Sequence, residues 1–218
     1  MPASKKLTVF RPQFVLLELA LIFVLVIGGL FALAVATYHP ADPGITNSGT
    51  GGDVANKSGL LGAYLADISR FLFGLGAHAL VPVLLPVLAR IFIRARREEP
   101  WLDLTFVTQL GGALLLFLAV VVLFAINHAP LAHPEGASAG GVVGQILAAS
   151  LVSWLGGLGS NLVVLALAML GVTAVTGLSW LALFGLVGIA VLALYDQLLR
   201  LIDRLIDRSD RYLSLIHI

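Results

Sequence analysis

Glu18 lies inside a long apolar run, Phe14 to Ala36. A carboxylate within a bilayer is costly and points to ion or proton handling. Its place near the start of the run also lets it snorkel to the headgroups or pair with Arg11, and the steep fall of the cost near the interface favours this structural role. His128, His133 and Glu135 could be drawn as a metal site. Two histidines five residues apart, with Pro130 and Pro134 around them, do not share a helix face, and closed zinc sites take three or four protein ligands. Ser160 and Ser179 would need a histidine at membrane depth to become nucleophiles. His78 is the histidine so placed, and no motif ties it to either serine. No Gly-x-x-x-x-Gly-Lys-Ser/Thr loop is present to cradle a phosphate, and no basic patch interleaved with aromatics suggests nucleic-acid contact. The chain has no cysteine, which excludes disulfides, zinc–thiolate sites and thiol catalysis. No catalytic, metal or cofactor-binding residue is assigned.

The elements that would carry these residues are set by composition. Of 218 residues, 59% are hydrophobic and 11% are charged. Soluble domains run near 45–50% and about 25%, so a water-soluble globule is excluded. Charge-poor runs of the roughly 17–25 residues that a bilayer requires occur at 14–37, 71–93, 104–126 and 161–178. Val142 to Leu158 and Trp180 to Leu194 are apolar but short or glycine-broken, and read as interfacial or re-entrant. The first run is not a cleaved signal peptide, because its core is too long and Tyr38-His39-Pro40 follows it.

Lysine and arginine placement orients the chain. Eleven of the thirteen lie in the first tail (Lys5, Lys6, Arg11), the 90–97 link (Arg90, Arg94, Arg96, Arg97) and the last tail (Arg200, Arg204, Arg208, Arg211). Both termini and the link are therefore expected in the cytoplasm, which requires an even number of crossings. The Tyr38–Arg70 and His128–Gly141 loops face the other side. In the link, Pro100 blocks helix continuation, Asp103 suits an N-cap, and Trp101 suits the headgroup layer.

The expected architecture is all-α: a polytopic membrane bundle of four transmembrane helices with one or two interfacial or re-entrant helices. Residues 1–13 form a cytoplasmic tail, 14–195 the membrane domain and 196–218 an amphipathic connector. In the connector Asp203 and Asp207, and Arg200, Arg204 and Arg208, form stripes at i, i+4. The connector reads as truncated, and residues 213–218 break its pattern. Gly28-Gly29, Gly111-Gly112, Gly140-x-x-x-Gly144 and Gly185-x-x-Gly188 permit close helix approach, either within the bundle or between copies. Pro82 and Pro86 predict a kink in the second span.

The outer end of the first span carries an ordered set of motifs. Tyr38-His39-Pro40-Ala41-Asp42-Pro43-Gly44 is followed by Asn56-Lys57-Ser58-Gly59, by Gly62-Ala63-Tyr64-Leu65-Ala66-Asp67, by Phe73-Gly74-x-x-Ala77, and by Pro82. Gly156-Gly157-x-Gly159 and Thr176-Gly177-x-Ser179-Trp180 come later. In order and spacing, from about Glu18 to about Trp180, the chain resembles the N-terminal four-span membrane domain of the FtsK/SpoIIIE DNA translocases. The family's tryptophan or serine after Asp-Pro is Gly44 here. Local chemistry adds that Asp42-Pro43-Gly44 is a turn at a membrane exit. Gly62, Ala63 and Ala66 present a small-residue face leading to Asp67, which is positioned to pair with Arg70.

The resemblance implies a membrane-anchoring and assembly domain of a septal translocase that couples chromosome segregation to cell division. It implies the bacterial inner membrane at the septum, homo-oligomerisation (a hexamer) and cell-division proteins as partners. DNA, ATP and magnesium belong to a motor absent from these 218 residues, so the chain is not expected to be an enzyme. The alternative is a small polytopic transporter or channel that uses Glu18 and the kinked second span.

Overall fold

A computed structural model describes residues 12–97, 103–128 and 138–216. Lys5, Lys6 and Arg11, the turn at Pro100 and Trp101, the loop residues His133 and Glu135, and the last two residues lie outside them. So do the side chains beyond Ile202, including the expected acidic and basic stripes. The described residues are helical with connecting loops: α1 (Pro12–Ala36), α2 (Gly59–Phe73), a 3-10 segment (Gly74–Ala79), α3 (Leu80–Arg96), α4 (Leu104–Asn127), α5 (Gly141–Thr176) and α6 (Trp180–Ile216). Two compact units divide after Thr176, with α1–α5 in the first and α6 in the second.

Among the described residues, five helical segments are long and apolar enough to cross a membrane: Val15–Ala36, Gly59–Arg96, Leu104–Asn127, Gly141–Thr176 and Trp180–Ile202. The first and third helical segments coincide in the sequence with the apolar runs at 14–37 and 104–126. The second takes in α2, the 3-10 segment and α3, and the 71–93 run lies within it. Its break is the 3-10 segment, upstream of both prolines. Pro82 falls in the first turn of α3, where a missing N–H costs least. The stretches at 142–158 and 161–178 are two helical halves that meet at a non-helical Gly156 and are labelled together as α5. The stretch at 180–194 runs on through residue 216 as α6.

At about 1.5 Å per residue a straight helix of 36 residues would measure about 54 Å, far beyond a hydrocarbon core of about 30 Å. α5 is bent at Gly156, whose φ of 67° only glycine adopts cheaply. The bend brings both halves onto one stretch of α4: Ala148 and Val164 pack in a single cluster with Ala119 and Val122. In an unbroken helix they would stand about 24 Å apart. Val142 to Leu158 is thus a half-helix folded back beside the second half of α5.

α4 is the centre of the first unit. Val83 and Val87 of α3, Ala113, Phe117 and Val121 of α4, and Val175 of α5 form its main cluster. Phe73 meets Phe117 edge-on with ring centroids 4.9 Å apart. In lipid, apolar burial does not drive helices together, so close backbone approach and interhelical hydrogen bonds must. Both are present. The Cα of Gly112 faces the Gly171 carbonyl, and the Cα of Gly171 faces that of Gly112. Gln109 Nε2 donates to the Val175 carbonyl at 2.8 Å, and Asn127 Nδ2 to Asn161 Oδ1 at 2.6 Å. The glycine pairs therefore divide. Gly112, Gly140 and Gly144 serve packing inside the unit, whereas a Cβ on Gly28, Gly29 or Gly111 would meet nothing within 4 Å.

The 3-10 break is filled from α5's entry. Leu75 N–H, released from a regular α-helical ladder, donates to the Ala139 carbonyl at 2.7 Å. Gly74 and Gly141, with φ of 58° and 63°, cross so closely that a Cβ on either would overlap the other segment's backbone. Val121 closes the crossing, fully buried and facing Gly76, Gly140 and Gly144.

Candidate functional site

Most of the motif residues converge where α1 ends, α2 begins and the loop between them folds back. Asp42, 5% exposed, accepts from the amides of Ala55 at 2.7 Å and Asn56 at 2.9 Å. Its own amide donates to the His39 carbonyl, closing the turn around exposed Pro40. Asn56 Nδ2 donates to the Ala34 carbonyl at 2.8 Å, and Asn56 Oδ1 accepts from the Ser58 amide at 2.9 Å. Ser58 Oγ donates to the Leu30 carbonyl at 2.9 Å, and Thr37 Oγ1 accepts from the Lys57 amide at 3.1 Å. The last turns of α1, including the Ala34 carbonyl that lacks a helical donor, are thereby stitched to the entry of α2.

Asp67, 3% exposed, accepts from both the amide and the hydroxyl of Thr46, each at 2.7 Å. This corrects the expected pairing with Arg70. The loop places Thr46 over α2, and the guanidinium of Arg70 turns to the face of Tyr38, 4.7 Å from its ring centroid. Burial holds the Tyr38 phenol above its ordinary pKa, and the charge of Asp67 adds to the shift.

The small residues are spacing elements. A Cβ on Gly62 would press on Ser58, Asn56 and Ala34, and one on Gly44 would enter the Asp67 carboxylate. Ala63 and Ala66 are buried on the same face of α2. The Gly59 amide donates to the Asn56 carbonyl. Pro43 is packed beneath Gly49. Donors and acceptors here are turned on one another, which fixes the shape of the loop between α1 and α2.

Other predicted positions lie elsewhere. Phe73 ends α2, Gly74 opens the 3-10 break, and Pro82 lies beyond it in the first turn of α3. Gly177 and Trp180 belong to the second unit, where Gly177 has a φ of 74° and Trp180 opens α6. Glu18 pairs with Arg96 of α3 at 3.2 Å, both side chains about half exposed, and Arg11 lies outside the described residues. The residue on which a transport path would depend thus joins α1 to α3. Ser160 Oγ donates to the Gly156 carbonyl, Ser179 Oγ accepts from the Ala182 amide at 3.4 Å, and His78 Nδ1 lies 3.0 Å from the Leu75 carbonyl. Among the described residues, no group of three His, Asp or Glu side chains is placed to hold a metal.

Sequence reading assigned no partner to Thr46 or Arg96 and missed the fork between Arg94 and Asp103. Nothing in spacing alone distinguishes Thr46 from neighbouring loop residues. The fork was nearer to hand, since Asp103 was read as the N-cap. It does accept from the Phe106 amide at 2.7 Å, and it also takes Arg94 Nη1 and Nη2 at 2.5 and 2.6 Å. These bonds lower the Asp103 pKa to about 2, the Arg94 side chain first.

Residues 14–188 match the family described as the 4TM region of DNA translocase FtsK/SpoIIIE. Among curated proteins, the DNA translocase FtsK of Vibrio vulnificus is 36% identical over 173 residues, spanning 78% of this chain and 17% of that protein. Those of Shewanella oneidensis and Pseudomonas aeruginosa are 30% and 38% identical over 189 and 150 residues, or 85% and 68% of this chain. The chain spans 20% and 18% of those two proteins. No solved structure matches.

Proposed function

This chain belongs to the 4TM-region family of the FtsK/SpoIIIE DNA translocases, and we propose that it is the membrane-anchoring and assembly region of such a translocase. The observation that carries the proposal is the extent of the match, which takes in α1 to α5 and the start of α6 while reaching a fifth or less of the relatives' own length. The multi-pass bundle moors the protein in the bilayer. The DNA-moving motor, with its ATP and magnesium, belongs to the remainder of a full-length translocase. The anchor sits in the bacterial inner membrane at the division septum, assembles as a hexamer with cell-division proteins, and so couples chromosome segregation to division.

The path through the bilayer follows from the basic residues. α1, the α2–α3 segment, α4 and α5 make four crossings, both tails lie in the cytoplasm, and α6 runs along the inner surface. The Asp42–Asn56–Asp67 assembly then faces outward, held rigid against α1 and α2 as a surface for other division proteins.

Two experiments test this. A reporter active only outside the cytoplasm is expected to be active when fused after Gly136 and silent after Arg208, and activity at Arg208 overturns the four-crossing path. A fluorescent fusion of the chain is expected to form a band at midcell in dividing bacteria, and an even distribution around the membrane overturns the septal role.

A further inference from the structure

At one membrane edge, the end of α3, the start of α4 and the end of α5 enclose a cavity of about 510 Å³. Arg90, Arg94 and Arg97 line it. Spaced i, i+4 and i+7, they project from one face of α3. The opposite wall is Gln109 and Thr176, and Pro86 lines the end nearer the middle of α3. Gln109 is 3% exposed, and its Oε1 has no hydrogen-bond partner. A buried acceptor without a donor is uncommon, so this wall is polar at a depth where hydrocarbon begins. Among the described lining residues none is acidic. Asp103 is bonded to Arg94.

We propose that this cavity takes the phosphate of an anionic phospholipid headgroup from the adjoining leaflet. Guanidinium forks match phosphate oxygens in pairs. Basic pockets between transmembrane helices are where headgroups of this class lodge. The geometry selects a lipid over a free anion, because the cavity runs from charged Arg97 at the helix end to apolar Pro86 deeper in the span. A headgroup on its glycerol backbone has the same gradient, and a free phosphate does not. Bound there, the lipid would bridge α3, α4 and α5. The inference rests on the membrane reading above but not on its sidedness, which the reporter fusions test separately.

The test is native mass spectrometry of the 218-residue chain in nonionic detergent, titrated with phosphatidylglycerol and, separately, with phosphatidylcholine. Phosphatidylglycerol is expected to be retained preferentially, and equal retention overturns the proposal without recourse to any variant. Arg90→Gln is expected to weaken phosphatidylglycerol binding about fivefold, the worth of one arginine near a charged surface. Arg90→Lys should recover part of the loss. Arg96→Gln removes the same charge from a guanidinium that pairs with Glu18 and does not line the cavity, and should leave binding unchanged. An equal loss with Arg96→Gln would mean general attraction to basic helix ends, and displacement of the lipid by inorganic phosphate would mean an ion site. Either result overturns the proposal.

Discussion

Asp67 on α2 receives both the amide and the hydroxyl of Thr46, twenty-one residues earlier in the chain, each at 2.7 Å. With the carboxylate 3% exposed, these two bonds fasten the middle of the α1–α2 loop to the bundle. Hydrogen bonds to a charged, buried acceptor are worth about 1.5–3 kcal/mol, so Thr46→Val is expected to cost that much in thermal unfolding. Asp67→Asn should cost a similar amount, and the double variant should cost less than the sum. Simple additivity would mean that the two residues do not act on one another.

The fork between Arg94 and Asp103 gives the α3–α4 turn an acid limit. The Asp103 carboxyl is lowered from the ordinary 3.8 to about 2. A group whose folded pKa is depressed stabilises the protein fully above its unfolded value, and that contribution disappears as pH falls through the folded one. The turn should hold constant stability down to about pH 4 and lose it toward about pH 2. Carboxyl NMR of Asp103 is expected to titrate near the lower value, and a midpoint at the ordinary one overturns the fork. Asp103→Asn should remove this part of the acid dependence.

Glycines that look alike in sequence should respond in opposite ways. Gly74→Ala adds a Cβ at a φ of 58° and drives it into the backbone at Ala139. A loss of more than about 2 kcal/mol is expected, since strain and overlap act together. Gly28→Ala meets nothing within 4 Å in mid-α1 and should be neutral or gain up to about 1 kcal/mol from helix propensity. Unfolding of the two variants in detergent checks this. A large loss at Gly28 would instead show that its face of α1 is covered by another chain.

Glu18→Gln breaks a pair in which both side chains are about half exposed. Exposed pairs contribute about 0–1 kcal/mol, so stability should change little, and ion flux through the protein in liposomes should equal that of the unmodified chain. Flux that depends on Glu18 would restore the transporter reading.

The outer-loop assembly was legible as a set and illegible as a circuit. Tyr38, Asp42, Asn56, Gly62 and Asp67 announced themselves by order and spacing, and all five meet in the structure. The partner of Asp67 did not, because a threonine in a glycine-rich loop carries no periodic signal. Arg70 was assigned to Asp67 on helical spacing alone. The structure gives that cation an aromatic ring instead, since Thr46 already satisfies the carboxylate.

Composition and charge placement alone determined that this is a helical membrane protein, where its long apolar segments lie and which ends are basic. Those properties follow from the need of every backbone polar group in lipid to be bonded within its own helix, a local condition that a linear pattern can express. Only the tertiary structure decided that α5 bends at Gly156 to lay two halves on α4, that Gly74 and Gly141 cross, and that Glu18 reaches Arg96. Each depends on two segments far apart in the chain arriving at one point, where a missing side chain or a buried charge matters only because of what stands opposite.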